Sequence, residues 1–196
     1  HLNGSLCNAL TGQSDGDEML AHLWEENLFV ARLEQQGWYR YHDLFAEMLL
    51  SQLQSRYPNE LTRLHLCAAR WYREQYAPAD AIYHLLATKA WEEAAALMEE
   101  MALRELEQFG EDSRLLRWLQ ELPESVVQKH KNLLFVYLRL ANVGLPHTRI
   151  ERFIAHIELS ITNKAPAYRT KDERDVLAEI QEIRRLWAQG DVFVPP

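Results

Sequence analysis

The sequence contains few residues that interrupt helices, because only 7 of its 196 residues are glycine and only 7 are proline. It also lacks a run of about 18 apolar residues, which a membrane-spanning helix requires. No basic segment followed by an apolar stretch marks a secretory signal. The chain begins at His1 without an initiator methionine, so we expect it to be a piece of a longer, cytoplasmic protein.

The two cysteines, Cys7 and Cys67, are too few and too far apart to build a disulfide framework or a metal site. We expect both to be free, buried thiols in a reducing compartment.

Catalytic and phosphate-binding motifs are missing as well. None of the patterns G-x-x-x-x-G-K-[ST], G-x-G-x-x-G, G-x-S-x-G and H-E-x-x-H occurs. The eight histidines include no two that are four residues apart, which a metal site on one helix face would need. We therefore predict no catalytic residue, no metal site and no cofactor within this chain, which by itself is not expected to be an enzyme.

The composition that is present favours a soluble, helical domain. Hydrophobic residues make up 47% of the chain and charged residues 26%, as in ordinary globular proteins. The net charge of −8 disfavours extended contact with nucleic acid, because phosphate neutralisation needs clustered lysine and arginine.

The first 58 residues combine helical and strand patterns. Ser14 or Asp15 can cap a helix with apolar residues at helical spacing. Residues 28–33 and 38–41 are rich in β-branched and aromatic residues and flank a glycine-bearing turn, which predicts a β-hairpin. Asp43 can then cap a helix. Its apolar stripe would consist of Leu44, Phe45, Met48, Leu49 and Leu53. Helix, hairpin and helix in this order predict a small winged-helix unit.

From Asn59 onward the pattern changes to helices in pairs. The predicted helices span residues 61–75, 79–87, 91–109, 113–122, 124–142, 149–163 and 171–189. Pairs that recur every 34 to 40 residues, very roughly, indicate a degenerate, tetratricopeptide-like α-solenoid. The predicted fold class is mainly α, with a winged-helix unit over residues 1–58 and a helical-repeat region over residues 59–196.

A winged helix can bind DNA, so the charges of the first unit bear on its role. Between His1 and Asn59 there are three basic residues and eight acidic ones, a net charge of −5. Such a surface repels a duplex. We predict that this winged helix does not read DNA.

His42 stands where the predicted hairpin ends and a helix begins. Its imidazole could reach an anion there, and the helix N-terminus would add backbone N–H donors. A structural role at the junction is the alternative that the residues leave open.

Several short segments form a recognisable set between about Leu6 and Asn142. They are Leu28-Phe29, Trp38-Tyr39-Arg40-Tyr41-His42-Asp43-Leu44-Phe45, Leu64-His65, Ala68-Ala69, Trp71-Tyr72, Ala81-Ile82-Tyr83-His84, Trp91-Glu92-Glu93-Ala94-Ala95, Leu115-Leu116-Arg117-Trp118-Leu119 and Leu122-Pro123. Together they resemble the large ATP-dependent LuxR-type (maltose regulon activator-like) transcriptional activators, which are signal-transduction NTPases.

The resemblance implies a nucleotide-binding domain upstream, and sensor and helix-turn-helix domains downstream in the same chain. It also implies that the full-length protein binds ATP or ADP and hydrolyses ATP. The segment Tyr41-His42-Asp43-Leu44 looks like the Met-His-Asp motif of related plant and apoptotic switch NTPases, whose histidine contacts the β-phosphate of ADP. Carried over, that role falls on His42, with Tyr41 in place of the usual methionine.

These inferences predict a regulatory fragment of a transcriptional activator. It would couple nucleotide state and the binding of a small-molecule inducer or protein regulator to transcription, without itself contacting DNA or a membrane. The alternative is a free-standing helical-repeat scaffold that binds a peptide or small ligand. A helical enzyme domain is a third reading.

Overall fold

The computed structural model describes residues 1–105, 113–130, 133, 147–163, 165–168 and 170–189. These residues are mostly helical and include a two-stranded antiparallel sheet, so the predicted fold class is confirmed. The chain divides into two compact units, His1–Ala90 and Trp91–Pro196. Within the described residues, no helix is both long enough and apolar enough to cross a membrane.

The first unit, all of whose residues are described, contains five helices and one hairpin. Its elements are α1 (Gly4–Thr11), α2 (Gly16–Glu25), β1 (Val30–Arg32), β2 (Tyr39–Tyr41), α3 (Asp43–Arg56), α4 (Pro58–Glu74) and α5 (Pro78–Ala87). The order of α2, the hairpin and α3 is the one predicted for a winged helix.

Helices α1 and α2 approach each other closely because glycine stands on both sides of their contact. A Cβ atom at Gly16 would lie 2.7 Å from Oδ1 of Asn8, and one at Gly4 would lie 2.6 Å from the backbone nitrogen of Asp17. Gly12 ends α1 with a φ of 74°, a left-handed conformation in which glycine carries no steric penalty.

The start of α2 is capped from a neighbouring helix. Asp15 occupies the predicted N-cap position, but its side chain makes no capping hydrogen bond. Instead, the N–H of Gly16 donates to Oδ1 of Asn8 at 2.8 Å. The link between α1 and α2 therefore also satisfies one of the free donors at the N-terminus of α2.

The hairpin lies at the predicted position. Its register pairs Val30 with Tyr41, Ala31 with Arg40 and Arg32 with Tyr39. Leu2 forms an additional antiparallel bridge to Tyr39. One face of the hairpin packs on α2 through a buried cluster of Leu20, Val30 and Tyr39, which fixes the hairpin relative to the helix.

Helices α4 and α5 pack against each other as a pair, and α1 and α3 also contact α4. A second buried cluster, made of Leu6, Ala68 and Trp71, joins α1 to α4. The boundary predicted between residues 58 and 59 lies in the first turn of α4, which begins at Pro58. In the structure, α4 and α5 belong to the same compact unit as the residues before that boundary.

The described part of the second unit is helical. Its elements are α6 (Trp91–Glu105), α7 (Ser113–Glu121), α8 (Glu124–Val127), α9 (His147–Thr162), α10 (Lys171–Gln189) and a short 3-10 turn, Pro166–Tyr168. Contacts join α6 to α8 and α9 to α10. The bounds of α10 are those predicted from the sequence.

The prediction of one helix over residues 124–142 is wrong at its start, because α8 ends at Val127. The N–H groups of Lys129 and His130 donate to carbonyls three residues earlier, which closes a tight turn. Lys129 pairs with Glu92, and Nδ1 of His130 lies 2.8 Å from a carboxylate oxygen of Glu99. These contacts hold the turn on α6. The remainder of the predicted helix, apart from residue 133, and the end of the helix predicted over 91–109 lie outside the described residues.

Candidate functional site

His42, the site residue predicted from the sequence, lies between β2 and α3. Its backbone is extended (φ −61°, ψ 139°), and its side chain is exposed. The His42 N–H donates to the carbonyl of Phe29 at 2.9 Å, and the His42 carbonyl accepts from the N–H of Ala46 at 2.9 Å. The backbone of His42 is therefore fixed on both sides while its imidazole remains exposed.

The helix cap falls one residue earlier than predicted. His42 occupies the N-cap position of α3, and Asp43 is the first helical residue rather than the cap. Neither position is closed by a side-chain capping hydrogen bond. The cap lies at His42 because the backbone hydrogen bond from its N–H to the carbonyl of Phe29 holds His42 in the extended conformation that an N-cap requires.

The N-terminus of α3 offers hydrogen-bond donors next to His42. The side chain of the N-cap residue makes no capping hydrogen bond, and the N–H groups of the first turn carry the positive end of the helix dipole. The exposed imidazole of His42 adds a further donor. The carboxylate of Asp43 opposes an anion, although the helix dipole stabilises it there. The donor set at His42 therefore fits a phosphate group, with Asp43 as the opposing charge.

Phe29, whose carbonyl accepts the hydrogen bond from the N–H of His42, has a strained backbone. Phe29 has a φ of 60°, a left-handed conformation that costs a bulky residue about 1–2 kcal/mol. Its ring stacks on that of Phe45 with centroids 4.7 Å apart, and such pairs contribute about 0.5–1.5 kcal/mol. Tyr41 packs on the other side, with its ring centroid 5.6 Å from that of Phe45. These contacts offset the strain, and strained positions of this kind concentrate at functional sites.

The surface beside His42 is apolar and exposed. None of the residues of α3 is buried. Leu44 is 82% exposed, Phe29 54% and Met48 45%. Of the apolar stripe predicted for α3, Leu44 and Met48 are exposed, whereas the other three residues, Phe45, Leu49 and Leu53, are half-buried. α3 also contacts α4, so the stripe is only partly covered within the first unit.

One of the two arginines of the hairpin lies against aromatic rings. The guanidinium carbon of Arg32 lies 5.4 Å from the ring centre of Trp24 and 5.9 Å from that of Tyr39. Arg32 is thus engaged by aromatic rings of its own unit.

Sequence reasoning missed a pair of histidines in the first unit. Nδ1 of His65 on α4 lies 2.8 Å from Nδ1 of His84 on α5, so one ring donates and the other accepts. The ring of Tyr72 stacks on His84 with centroids 5.4 Å apart. Burial and the neighbouring His65 lower the pKa of His84 to about 4, although Asp80 acts in the opposite direction. Burial also lowers the pKa of His65.

Potential metal ligands do not cluster in the described residues. In the parts of the chain that the structure describes, no group of three or more histidine, cysteine, aspartate or glutamate side chains could hold a metal ion. Cys7 and Cys67 are both free thiols. Both are partly exposed, so the prediction that they are buried is wrong.

Comparison with known proteins places the site in a defined domain. The family model described as the MalT winged helix domain matches residues 1–61, which include the hairpin, His42 and α3. No solved structure matches the chain.

The relatives are large regulatory proteins. The chain is 39% identical over 85 residues to the HTH-type transcriptional regulator MalT of Vibrio cholerae, which covers 43% of this chain and 9% of that protein. It is 28% identical over 159 residues to the MalT regulator of Vibrio campbellii, covering 81% of this chain and 18% of the relative. It is 30% identical over 189 residues to the serine/threonine-protein kinase PknK of Mycobacterium tuberculosis, covering 92% of this chain and 17% of the kinase.

The chain thus spans less than a fifth of the length of each of these relatives. The resemblance to large ATP-dependent regulators, which rests on the motifs around Trp38, His42 and Leu64, is confirmed. The chain resembles the MalT-like regulators, and its residues 1–61 match the model of the MalT winged helix domain.

Proposed function

We propose that this chain is the coupling segment of a larger, cytoplasmic transcriptional activator. The winged helix responds to ATP or ADP held by an upstream nucleotide-binding domain. The helical region that follows passes on the binding of a small-molecule inducer or a protein regulator. Downstream sensor and helix-turn-helix domains then act on promoter DNA, which this segment does not contact.

The observation that carries the proposal is the setting of His42. An exposed imidazole stands at the uncapped N-terminus of α3, inside the region that matches the MalT winged helix domain. The exposed apolar side chains of Phe29, Leu44 and Met48 border it. A phosphate contact at His42 together with an apolar contact beside it would give a domain that docks in one nucleotide state and separates in the other.

The similarity to the kinase PknK supports a second setting for the same segment. That relative covers 92% of this chain, so the segment could regulate a kinase rather than a transcription factor. The sequence on either side of the chain distinguishes the two settings. A phosphate-binding loop upstream and a helix-turn-helix downstream favour the activator, whereas a kinase domain favours the second setting.

The test of the nucleotide role is the His42→Ala variant of the full-length protein. A hydrogen bond to a charged partner contributes about 1.5–3 kcal/mol. Its loss should weaken ADP retention by roughly 10- to 150-fold, since 1.4 kcal/mol is about a factor of ten. Transcription without inducer should rise in parallel, because the inactive state is less stable. ADP affinity and basal transcription are measured on the same preparation.

A matched control separates this role from a purely structural one. His22 is exposed on α2 of the same unit, and the His22→Ala variant should leave both ADP affinity and basal transcription unchanged. A structural role for His42 predicts instead that His42→Ala lowers the melting temperature while ADP affinity stays at the wild-type value. That result would contradict the proposal.

A further inference from the structure

A cleft of about 570 Å³ opens in the first unit, between the first residues of the chain, the hairpin turn and the junction of α4 and α5. Trp38, Trp71 and Tyr72 line it together with the polar residues Gln35, Gln75 and Asp80. A cleft of this volume is in the range that binds a small molecule. His42 is not among its lining residues.

Three aromatic rings form one wall of the cleft. The ring centroids of Trp38 and Trp71 are 6.4 Å apart, and those of Trp71 and Tyr72 are 5.0 Å apart, both pairs in edge-to-face arrangement. Nε1 of Trp71 donates to Oγ of Ser5 at 3.0 Å, which fixes the central ring. Aromatic walls of this kind attract organic cations through the negative potential of the ring faces.

Asp80 supplies a negative charge beside this wall. Among the described residues that line the cleft, it is the only one with an acidic side chain, and His1 is the only basic one. The Asp80 carboxylate lies near enough to Tyr72 to raise, after burial, the pKa of its hydroxyl. His84, one turn further along α5, does not neutralise Asp80, because its lowered pKa of about 4 keeps the ring uncharged at neutral pH.

Gln35 and Gln75, whose amides can accept hydrogen bonds, also line the cleft. A planar guanidinium group suits this combination, because it stacks on aromatic rings and presents several N–H donors to oxygen acceptors at its edge. The same unit already holds one guanidinium group in this way, since Arg32 lies 5.4 Å from the centre of Trp24 and 5.9 Å from that of Tyr39.

We propose that the cleft between the hairpin turn and the junction of α4 and α5 binds a small molecule that carries a guanidinium group. The rings of Trp38 and Tyr72, which pack on the buried Trp71, contact the cation, and the carboxylate of Asp80 is its counter-charge. This site is separate from His42, and it does not depend on the nucleotide role proposed for that residue.

The test is a calorimetric titration of the 196-residue chain with butylguanidinium and with its neutral isostere butylurea. Butylguanidinium should bind at least about tenfold more tightly, because only the cation gains both the ring and the carboxylate interactions. Asp80→Asn should weaken binding of butylguanidinium by about five- to tenfold, a modest factor because Asp80 is exposed. Binding of butylurea should not change.

Two further variants serve as a substitute for Asp80→Asn and as a control. Gln35→Glu places a second carboxylate on the exposed hairpin turn and should strengthen binding of butylguanidinium alone, so it replaces Asp80→Asn if that variant does not fold. Asp43→Asn removes a carboxylate outside the cleft and should change nothing. No binding by the wild-type chain, equal binding of the two probes, or full binding by folded Asp80→Asn would each overturn the proposal. A loss of binding in His42→Ala would instead contradict the separation of the two sites.

Discussion

At the scale of single residues, the contact between His65 and His84 makes the stability of the first unit depend on pH. Burial and the adjacent His65 lower the pKa of His84 from 6.5 to about 4. Because the pKa of His84 is lower in the folded state than in the unfolded chain, the folded state binds a proton on this imidazole less tightly. The contribution of His84 to stability is therefore fully present above pH 6.5 and is lost as the pH falls towards 4. The ionisable groups that act on His84 are His65, Asp80 and the N-terminal amino group of His1, and the rings of Tyr72 and Tyr83 lie beside it.

The corresponding prediction concerns the His84→Gln variant. The wild-type chain should lose about 1–2 kcal/mol more than this variant on acidification through that range, after a discount for the partial exposure of His84. At neutral pH the variant should be less stable, because it loses the stacking on Tyr72. Thermal unfolding at a series of pH values measures both effects. His22→Gln, at an exposed position, should keep the wild-type slope, and an equal slope in His84→Gln would contradict the prediction.

The histidine pair also shows why single-residue predictions fell short. His65 and His84 are 19 residues apart, so a search for histidines four residues apart on one helix cannot find them. They meet only because α4 and α5 fold back on each other. The position of His42 between a strand and a helix was predictable, in contrast, because it depends on local features; its role as a site residue stays a prediction.

At the scale of elements, the contact between α1 and α2 depends on the absence of side chains. The glycines at 4 and 16 let the two backbones approach, and Asn8 closes the junction with its hydrogen bond to the N–H of Gly16. The winged-helix hairpin packs on α2 through Leu20. A change that pushes α1 and α2 apart should therefore also loosen the hairpin.

We predict that Gly16→Ala destabilises the chain by about 1–3 kcal/mol, the usual cost of a forced steric overlap in a packed region. The new methyl group would meet Oδ1 of Asn8 at 2.7 Å and the carbonyl oxygen of Gly4 at a shorter distance. Gly12→Ala is the matched comparison, because its methyl group meets no atom within 4 Å and only the positive φ is unfavourable, at about 1–2 kcal/mol. Denaturant unfolding compares the two. A smaller loss for Gly16→Ala than for Gly12→Ala would refute the close-contact explanation.

Elements with a clear local pattern were predictable, and elements set by contacts distant in the sequence were not. The hairpin was predictable because strand-forming residues flank a glycine-bearing turn, and α10 because its helical period runs unbroken. The early end of α8 was not, because the side-chain contacts of Lys129 and His130 reach back to α6. Likewise, the partner that satisfies the N-terminus of α2 is Asn8 of another helix, which sequence position does not reveal.

At the scale of the whole molecule, the chain resembles segments of larger proteins that have different activities. Relatives described as transcriptional regulators and a relative described as a protein kinase both contain a similar segment. The activities in those names differ, so similarity over this segment assigns neither activity to the chain. The role proposed for His42 is compatible with both settings, because it rests on the exposed side chain and the helix N-terminus rather than on either name.

The last prediction is that the chain does not bind duplex DNA, even though it contains a winged helix. Its net charge is −8, Arg32 of the hairpin is held between Trp24 and Tyr39, and α3 begins with Asp43 and carries Glu47 one turn later. In a gel-shift assay at low ionic strength it should bind no better than an unrelated acidic protein, because it cannot release the counterions that drive such binding. A double variant, Asp43→Lys with Glu47→Lys, should gain weak binding that disappears as salt is added, which shows that the assay can detect it. Sub-micromolar, salt-sensitive binding by the wild-type chain would make the winged helix a DNA-binding element after all.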